Sequence, residues 1–388
     1  MAGIYVHIPF CKQACHYCNF HFSTSMKLKN GFLQALLNEI VLQNHFLKDE
    51  VVETIYFGGG TPSLLSGEEL SLVLNSIKSN YLVDLNAEIT LEVNPDDITV
   101  EKLTDWRNTQ FNRLSIGIQS FFDADLKWMN RAHSALQAEQ SIIQAKHAGF
   151  ENITIDLIFG SPGLSDANWF LNVQKAISLN IPHLSCYALT VEPETPLANM
   201  IHKKTSVGTS SEDQARQFLL LMKWLHEAGY DHYEISNFSL PGHRSQHNSS
   251  YWEGKNYLGL GPSAHSFNGA SRQWNVSNNA LYIQSLQKHI IPFEIEVLTP
   301  VQRLNEWIMT SLRTKQGLPL NRTGTFINNT IIERLKTKSL KYQQQLLVIE
   351  KLNTLTLTDQ GKLFADGIAA DLFFEEKEIR DDAFAPCS

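Results

Sequence analysis

The sequence predicts an α/β protein: a partial (β/α)6 barrel of the TIM-like kind, followed by a smaller, mostly helical and winged-helix-like C-terminal unit. Three observations carry this. Six short runs rich in β-branched and aromatic residues recur before about residue 190, segments of helical periodicity separate them, and polar or glycine residues collect just after each run. Parallel strands need crossovers, which helices supply, so regular alternation reads as a parallel sheet with helices outside it. Six units are fewer than the eight of a closed barrel.

The runs are GIYVHI, ETIYFGG, AEITLEV, NRLSIGI, NITIDLIFG and HLSCYAL. In the first intervening segment, Leu33, Leu36, Leu37, Ile40 and Val41 follow the i, i+3, i+4, i+7, i+8 order of one buried helix face. The regularity stops near Pro193 and Pro196, and HKKTSVGTSSED (His202 to Asp213) reads as an exposed polar link before a helix to about Ala228. An aromatic-dense region runs from Gly229 to Asn275, and from about Asn279 the chain reads as mostly helical. The stretch Leu346 to Phe373 reads as two short strands and a helix, and the residues from about Glu376 as an acidic tail. The expected division is therefore a barrel over residues 1–205, a connecting region over 206–290 and a C-terminal domain over 291–388.

At 388 residues, 43% apolar and 19% charged, the chain has ample material for two or three domains. Its 32 basic against 40 acidic residues argue against a general nucleic-acid binder, which needs a basic face to neutralise phosphates. No targeting segment or transmembrane stretch is visible; the apolar run FLLLMKWL from Phe218 is short and contains Lys223. Of five cysteines, three crowd into Cys11 to Cys18, Cys186 falls inside the sixth run as a structural residue, and Cys387 is isolated. That usage fits a metal site in a reducing compartment, so a cytoplasmic location is expected.

Ligands of α/β barrels bind where the loops after the strands converge. Those loops hold the cysteine cluster, GGGTPS (Gly58 to Ser63), Glu92 with Asn94 and Pro95, Gln119, Asp156 running into FGSPG, and Thr190 with Glu192. Three glycines before Thr61 suggest a ligand lying on the backbone, but no Gly-Lys-Ser/Thr follows as a Walker loop requires. For the cysteines, a zinc knuckle completed by His7, His16 or His21 is one reading. The other is a four-iron cluster, which normally takes four thiolates; three leave one iron open for an exchangeable ligand.

Cys11-x3-Cys15-x2-Cys18 resembles the signature of radical S-adenosylmethionine proteins, whose partial barrel matches the six units. The resemblance implies a [4Fe-4S] cluster whose open iron takes the amino and carboxylate groups of S-adenosylmethionine. YVHIPFC, GGGTPS, RLSIGIQSF, DLIFG and YEISNF resemble the coproporphyrinogen dehydrogenase (HemN) branch over nearly the whole chain. Carried over by position, Tyr5, Gly59, Gly60, Thr61, Glu92, Gln119, Arg131 and Asp156 match that family's S-adenosylmethionine contacts, and Tyr17 would pack against the adenine. The chemistry is consistent: Asp156 and Glu92 can accept hydrogen bonds from hydroxyls or an ammonium, and Arg131 can pair with a carboxylate.

Two features divide this branch. Coproporphyrinogen dehydrogenases carry a further cysteine two residues after the third, where this chain has Phe20, and an extension before the first barrel strand, where this chain begins. HNSSYW (His247 to Trp252) resembles the H-N-x-x-Y-W motif of the related heme chaperones, as does YLGLGPSAHSF from Tyr257. The resemblance implies a chaperone that binds heme and hands it to acceptor proteins, membrane-bound ones among them; the alternative is oxidative decarboxylation of coproporphyrinogen III. His247 is the expected heme ligand, with Tyr251 and Trp252 against the macrocycle. From residue type alone the reading would instead be a satisfied core histidine, and it is the motif match that turns it towards heme. His265 is the second candidate, for heme or for the adenosyl group. Ser161, where leucine is usual, and Pro262-Ser263 depart from the pattern near the rim.

Overall fold

The computed structural model describes residues 2–321 and 327–378. The six expected strands are present: β1 (Ala2–Ile8), β2 (Val52–Gly59), β3 (Val83–Val93), β4 (Arg113–Gln119), β5 (Asn152–Phe159) and β6 (His183–Ala188). Each pairs in parallel with the next. Helices Lys29–Leu42, Gly67–Asn80, Val100–Asn108, Ala135–His147 and Asp166–Ser178 make the crossovers, with the short Asp123–Trp128 added after β4. Capping boxes start two of them, Ser66 with Glu69 and Ser134 with Gln137, satisfying backbone N–H groups that the first turn leaves orphaned. On the first helix, Leu33, Leu36 and Ile40 are buried as their spacing requires. Val41 is 51% exposed, so the apolar stripe is narrower than its sequence suggests.

The sheet does not end with these six strands. At one edge, β7 (Asp231–Glu234) and β8 (Asn237–Ser239) form a hairpin whose β8 runs antiparallel to β6. At the other, β9 (Asn256–Leu260) lies parallel to β1, followed by antiparallel β10 (His265–Phe267), β11 (Ser271–Asn275) and β12 (Phe293–Val297). The sheet thus has twelve strands, in the order β12-β11-β10-β9-β1-β2-β3-β4-β5-β6-β8-β7. The region after residue 206 supplies half of them, and Tyr282, Ile283 and Leu286 lie in the same core as the barrel.

A separate core around Leu304, Ile308, Ile331, Leu335, Leu355 and Ile368 defines the C-terminal unit. It consists of helices Pro300–Leu312, Asn329–Gln344, Asp359–Lys362 and Ala365–Asp371 with β13 (Leu318–Pro319), β14 (Val348–Lys351) and β15 (Thr354–Leu357), ordered β13-β15-β14. The two strands and following helix read from Leu346 to Phe373 are there; β12 and β13 interrupt what reads as a helical stretch. Cys387 and the acidic tail beyond residue 378 lie outside the described residues. Among the described residues no helix is long and apolar enough to cross a membrane.

Side chains alternate along each strand. Ile55, Phe57, Ile89, Leu91, Leu114, Ile116, Ile153 and Ile155 are buried in the apolar core. The alternating set instead lines a small polar cavity within the barrel, with Tyr56, Glu92, Ser115, Asp156 and Ser185 in its walls. Helix Gln246–Trp252 closes it from below: Ser245 and Asn248 line the same cavity, and the N–H of His247 donates to Glu88 at 3.1 Å.

Candidate cofactor site at the barrel mouth

The cysteine loop leaves β1 and is pinned on several sides. Cys11 N–H donates to Ser23 O at 3.0 Å and Ser23 N–H to Pro9 O at 2.9 Å. Asn130 holds the loop's middle, donating to Ala14 O and accepting at its own carbonyl from Gln13, both at 2.7 Å. His16 N–H donates to Met129 O at 3.1 Å, and Leu197 N–H to His16 O at 2.8 Å. Cys11, Cys15 and Cys18 are free thiols, partly buried, and all three line one cavity of about 390 Å³. Burial pushes Cys11 up to about 11 and raises Cys18 as well, so holding these two as thiolates calls for a positively charged partner.

Of the histidines of the zinc reading, His7 has both ring nitrogens engaged, whereas His16 and His21 each spend one. His7 bonds through Nε2 to His21 O at 2.8 Å and through Nδ1 to the Tyr5 hydroxyl at 3.2 Å. His16 Nδ1 meets Trp128 O at 2.7 Å, and His21 Nε2 meets Asn279 Oδ1 at 2.7 Å.

Gly59 and Gly60 line the cavity, but their first duty is to the fold. Gly59 has φ +102°, and a Cβ there would lie 2.5 Å from the His7 ring. A Cβ on Gly60 would lie 2.6 Å from Phe10 O, where only backbone stands to give way. These glycines let the cysteine loop rest directly on the end of β2, a requirement of chain approach as much as of any ligand.

Across the cavity stand the charged groups. Glu92 accepts from Tyr56 OH at 2.7 Å and Gly59 N–H at 3.2 Å, yet burial still raises it to about 6. Asp156 is pushed to about 7, by burial first and then by Glu92. Arg131 donates to Asn94 Oδ1 at 2.6 Å and Gly117 O at 2.8 Å, and approaches Cys15 Sγ at 3.3 Å. Its Nε is buried without a hydrogen-bond partner among the described residues. Gln119 sits at φ +66°, where the β4–β5 register shifts. A non-glycine residue held in that region is a strained position of the sort that collects at ligand sites.

The structure therefore gathers Cys11, Cys15, Cys18, Tyr17, Gly59, Gly60, Thr61, Glu92, Gln119, Arg131 and Asp156 around one cavity, with Thr190 and Glu192 at its rim. The donor set fits a cluster with an amino-acid ligand beside it: three thiols on one loop, an unsatisfied guanidinium nitrogen for a carboxylate, and two carboxylates for an ammonium or hydroxyls. Ser115, Gly117 and Tyr187 join them. Counting back by twos from Gln119 finds the first two, and counting on from Ser185 finds the third.

Three expected residues stand apart from this cavity. Tyr5 lies within the barrel wall, its ring 6.1 Å from Tyr56 and its hydroxyl on His7. His265 begins β10, exposed, 6.2 Å from Trp274. His247 is only 1% exposed, with Nδ1 on Thr54 Oγ1 at 2.8 Å, Nε2 on Tyr251 OH at 2.9 Å, and its ring 5.1 Å from Tyr56. Both ring nitrogens are spent, so ligating heme would require the ring to break one of these bonds and leave the barrel floor. The geometry is that of a satisfied core histidine. Among the departures, Ser161 is buried outside the cavity lining, and Ser263 adopts φ +66° in the turn before β10.

Residues 5–170 match the Radical SAM superfamily. The heme chaperone HemW of Mycobacterium tuberculosis is 33% identical over 375 residues, spanning 95% of this chain and 94% of its own. That of Bacillus subtilis is 32% identical over 372 residues, spanning 95% and 98%. Among solved structures, coproporphyrinogen III oxidase (HemN) from Escherichia coli, a radical SAM enzyme, shares the fold with a TM-score of 0.80 over 96% of this chain and 90% of that one, at 22% identity. The chain belongs to the radical S-adenosylmethionine superfamily and, within it, to the family of the heme chaperone HemW.

Proposed function

We infer that the protein is a heme chaperone: it binds heme and transfers it to acceptor proteins, on a scaffold that carries a [4Fe-4S] cluster and an exchangeable S-adenosylmethionine. The observation that carries this reading is the similarity to HemW chaperones along nearly the whole length of both chains. Cys11, Cys15 and Cys18 hold the cluster, and when bound it supplies an open iron site and one-electron chemistry. Arg131, oriented by Asn94 and the Gly117 carbonyl, offers Nε to the carboxylate of the amino-acid moiety. Glu92 and Asp156 accept from its ammonium or from ribose hydroxyls. Tyr17, packed with Met129, Ile158, Leu189 and Leu197, presents a ring for the adenine.

The location we propose is the cytoplasm, where three free thiols of this kind stay reduced. The acceptors we propose are hemoproteins, including membrane-bound ones. Decarboxylation of coproporphyrinogen III has no comparable support. The position of the dehydrogenases' extra cysteine is taken by Phe20, which lies at the cavity rim, 67% exposed.

The test uses anaerobically reconstituted protein in two assays. Hemin should bind and then pass to a heme-free acceptor hemoprotein, followed by the absorbance of the acceptor. Coproporphyrinogen III with S-adenosylmethionine and a reductant should yield no divinyl product on chromatography; multiple turnovers would overturn the chaperone reading.

A further inference from the structure

A second cleft, of about 660 Å³, opens between the motif helix Gln246–Trp252, strands β9 to β11 and helix Pro300–Leu312 of the C-terminal unit. Its volume is in the range of roughly 300–1,000 Å³ typical of cofactor-sized sites. Trp252, Tyr257 and Phe267 line it on the barrel side, and Trp307 and Met309 on the side of the C-terminal helix. Arg244, Arg272 and Arg303 also line it, against the single acidic pair of Glu253 and Glu306. Apolar rings on two walls with guanidinium groups among them suit a flat apolar body that carries carboxylates.

The charged groups are held in place. Arg272 lies over Phe267 at 5.4 Å and spends Nε on Glu306 at 2.7 Å, which leaves its two terminal nitrogens for an incoming carboxylate. Arg244 lies over Tyr233 at 5.3 Å and pairs with Asp231. Tyr257 meets Tyr251 edge-on at 4.7 Å, so the wall of the cleft is continuous with the motif helix. Trp252 Nε1 is buried without a hydrogen-bond partner among the described residues. The motif helix thus has two sides: His247 faces up into the barrel floor, while Tyr251 and Trp252 line the cleft.

We propose that this cleft is the heme site: the macrocycle lies between Trp252 with Tyr257 and Trp307, with its propionates on Arg272 and Arg244. The proposal rests on the heme-chaperone reading and adds where the ring sits and what holds it. It assigns His247 to positioning the motif helix and gives the arginines and aromatic rings the work of recognition. The iron is then a minor contributor to affinity, and an iron-free ring of the same shape should bind.

The test titrates hemin and, separately, iron-free protoporphyrin IX into the reconstituted full-length protein. Ser249→Phe fills the cleft and Arg272→Gln removes a propionate partner. Each variant should bind both probes about tenfold or more weakly, Ser249→Phe by steric block and Arg272→Gln by the loss of one charge-assisted pair. Iron and sulfide content should stay as in the parent; Arg272→Gln also loses its bond to Glu306, so its thermal transition should fall by no more than a part-exposed ion pair is worth. Native-like affinity for hemin in both variants, or tight hemin binding with no binding of protoporphyrin IX, overturns the cleft assignment and leaves the chaperone reading standing. If the unaltered protein binds neither probe, the chaperone reading fails and the site with it.

Discussion

Replacing His247 with alanine distinguishes a structural strut from a metal ligand. The imidazole is fully buried, and its removal leaves the Thr54 and Tyr251 hydroxyls without partners. An unsatisfied buried polar group costs about 1–3 kcal/mol, and the cavity left by a ring of this size about 2–4 kcal/mol. A water entering the polar space recovers part of this, so the net loss should be about 3–5 kcal/mol. Acid dependence supplies a second signature. Burial lowers His247 to about 3. The folded value is below the unfolded one, near 6.5, so the unfolded chain binds more protons between them. The His247 contribution is complete above about pH 6.5 and is lost as pH falls towards about 3. At pH 4.5 the loss amounts to about 2–3 kcal/mol, at roughly 1.4 kcal/mol per pH unit. Other buried histidines titrate alongside, but the difference between parent and variant isolates this one. Urea unfolding at pH 7 and 4.5 should show His247→Ala weaker at pH 7 and less sensitive to acid than the parent. Hemin titrated into the folded variant should give an unchanged visible spectrum. A variant that is as stable as the parent, yet has a shifted or missing heme spectrum, would refute the strut and restore His247 as ligand.

Two further outcomes concern the barrel mouth. Cys15→Ala should keep the fold, because the loop is pinned by backbone bonds to Ser23, Met129 and Leu197, but should abolish the labile sulfide and brown chromophore; stoichiometric zinc without sulfide in the unaltered protein would contradict the cluster assignment. Gly60→Ala should cost about 1–3 kcal/mol by overpacking against Phe10 and Ile8 carbonyls and should lower iron incorporation, measured by urea unfolding beside iron analysis; native stability with full iron loading would show that the close approach is dispensable.

The six parallel strands and the contents of the cavity at their ends were legible in the chain because both are local facts. Alternation along a run such as TIYFGG puts Tyr56 and Gly58 on one face and Ile55 and Phe57 on the other, and the loop after each parallel strand must emerge at the same rim. Cys11, Gly60, Glu92, Gln119 and Asp156 therefore converge whatever the details. Tyr5 shares that strand face yet stops short of the cavity, because depth along the strand is set by register and periodicity carries no register. The strands that extend the sheet were not legible for the same reason. The pairing of β9 with β1 joins residues about 250 positions apart, and nothing in NYLGL names its partner. His247 shows the limit most plainly: its type suits a buried strut and its motif a ligand. The choice rests on Thr54 from β2 and Tyr251 one helical turn away, which take the two ring nitrogens, and on Glu88 from β3, which accepts from the backbone N–H and fixes the helix there. The cleft beside it has walls from β9, β11 and helix Pro300–Leu312, the last of which belongs to the core of the C-terminal unit. Its chemistry depends on how two separately packed cores meet, and no single stretch of the chain encodes that.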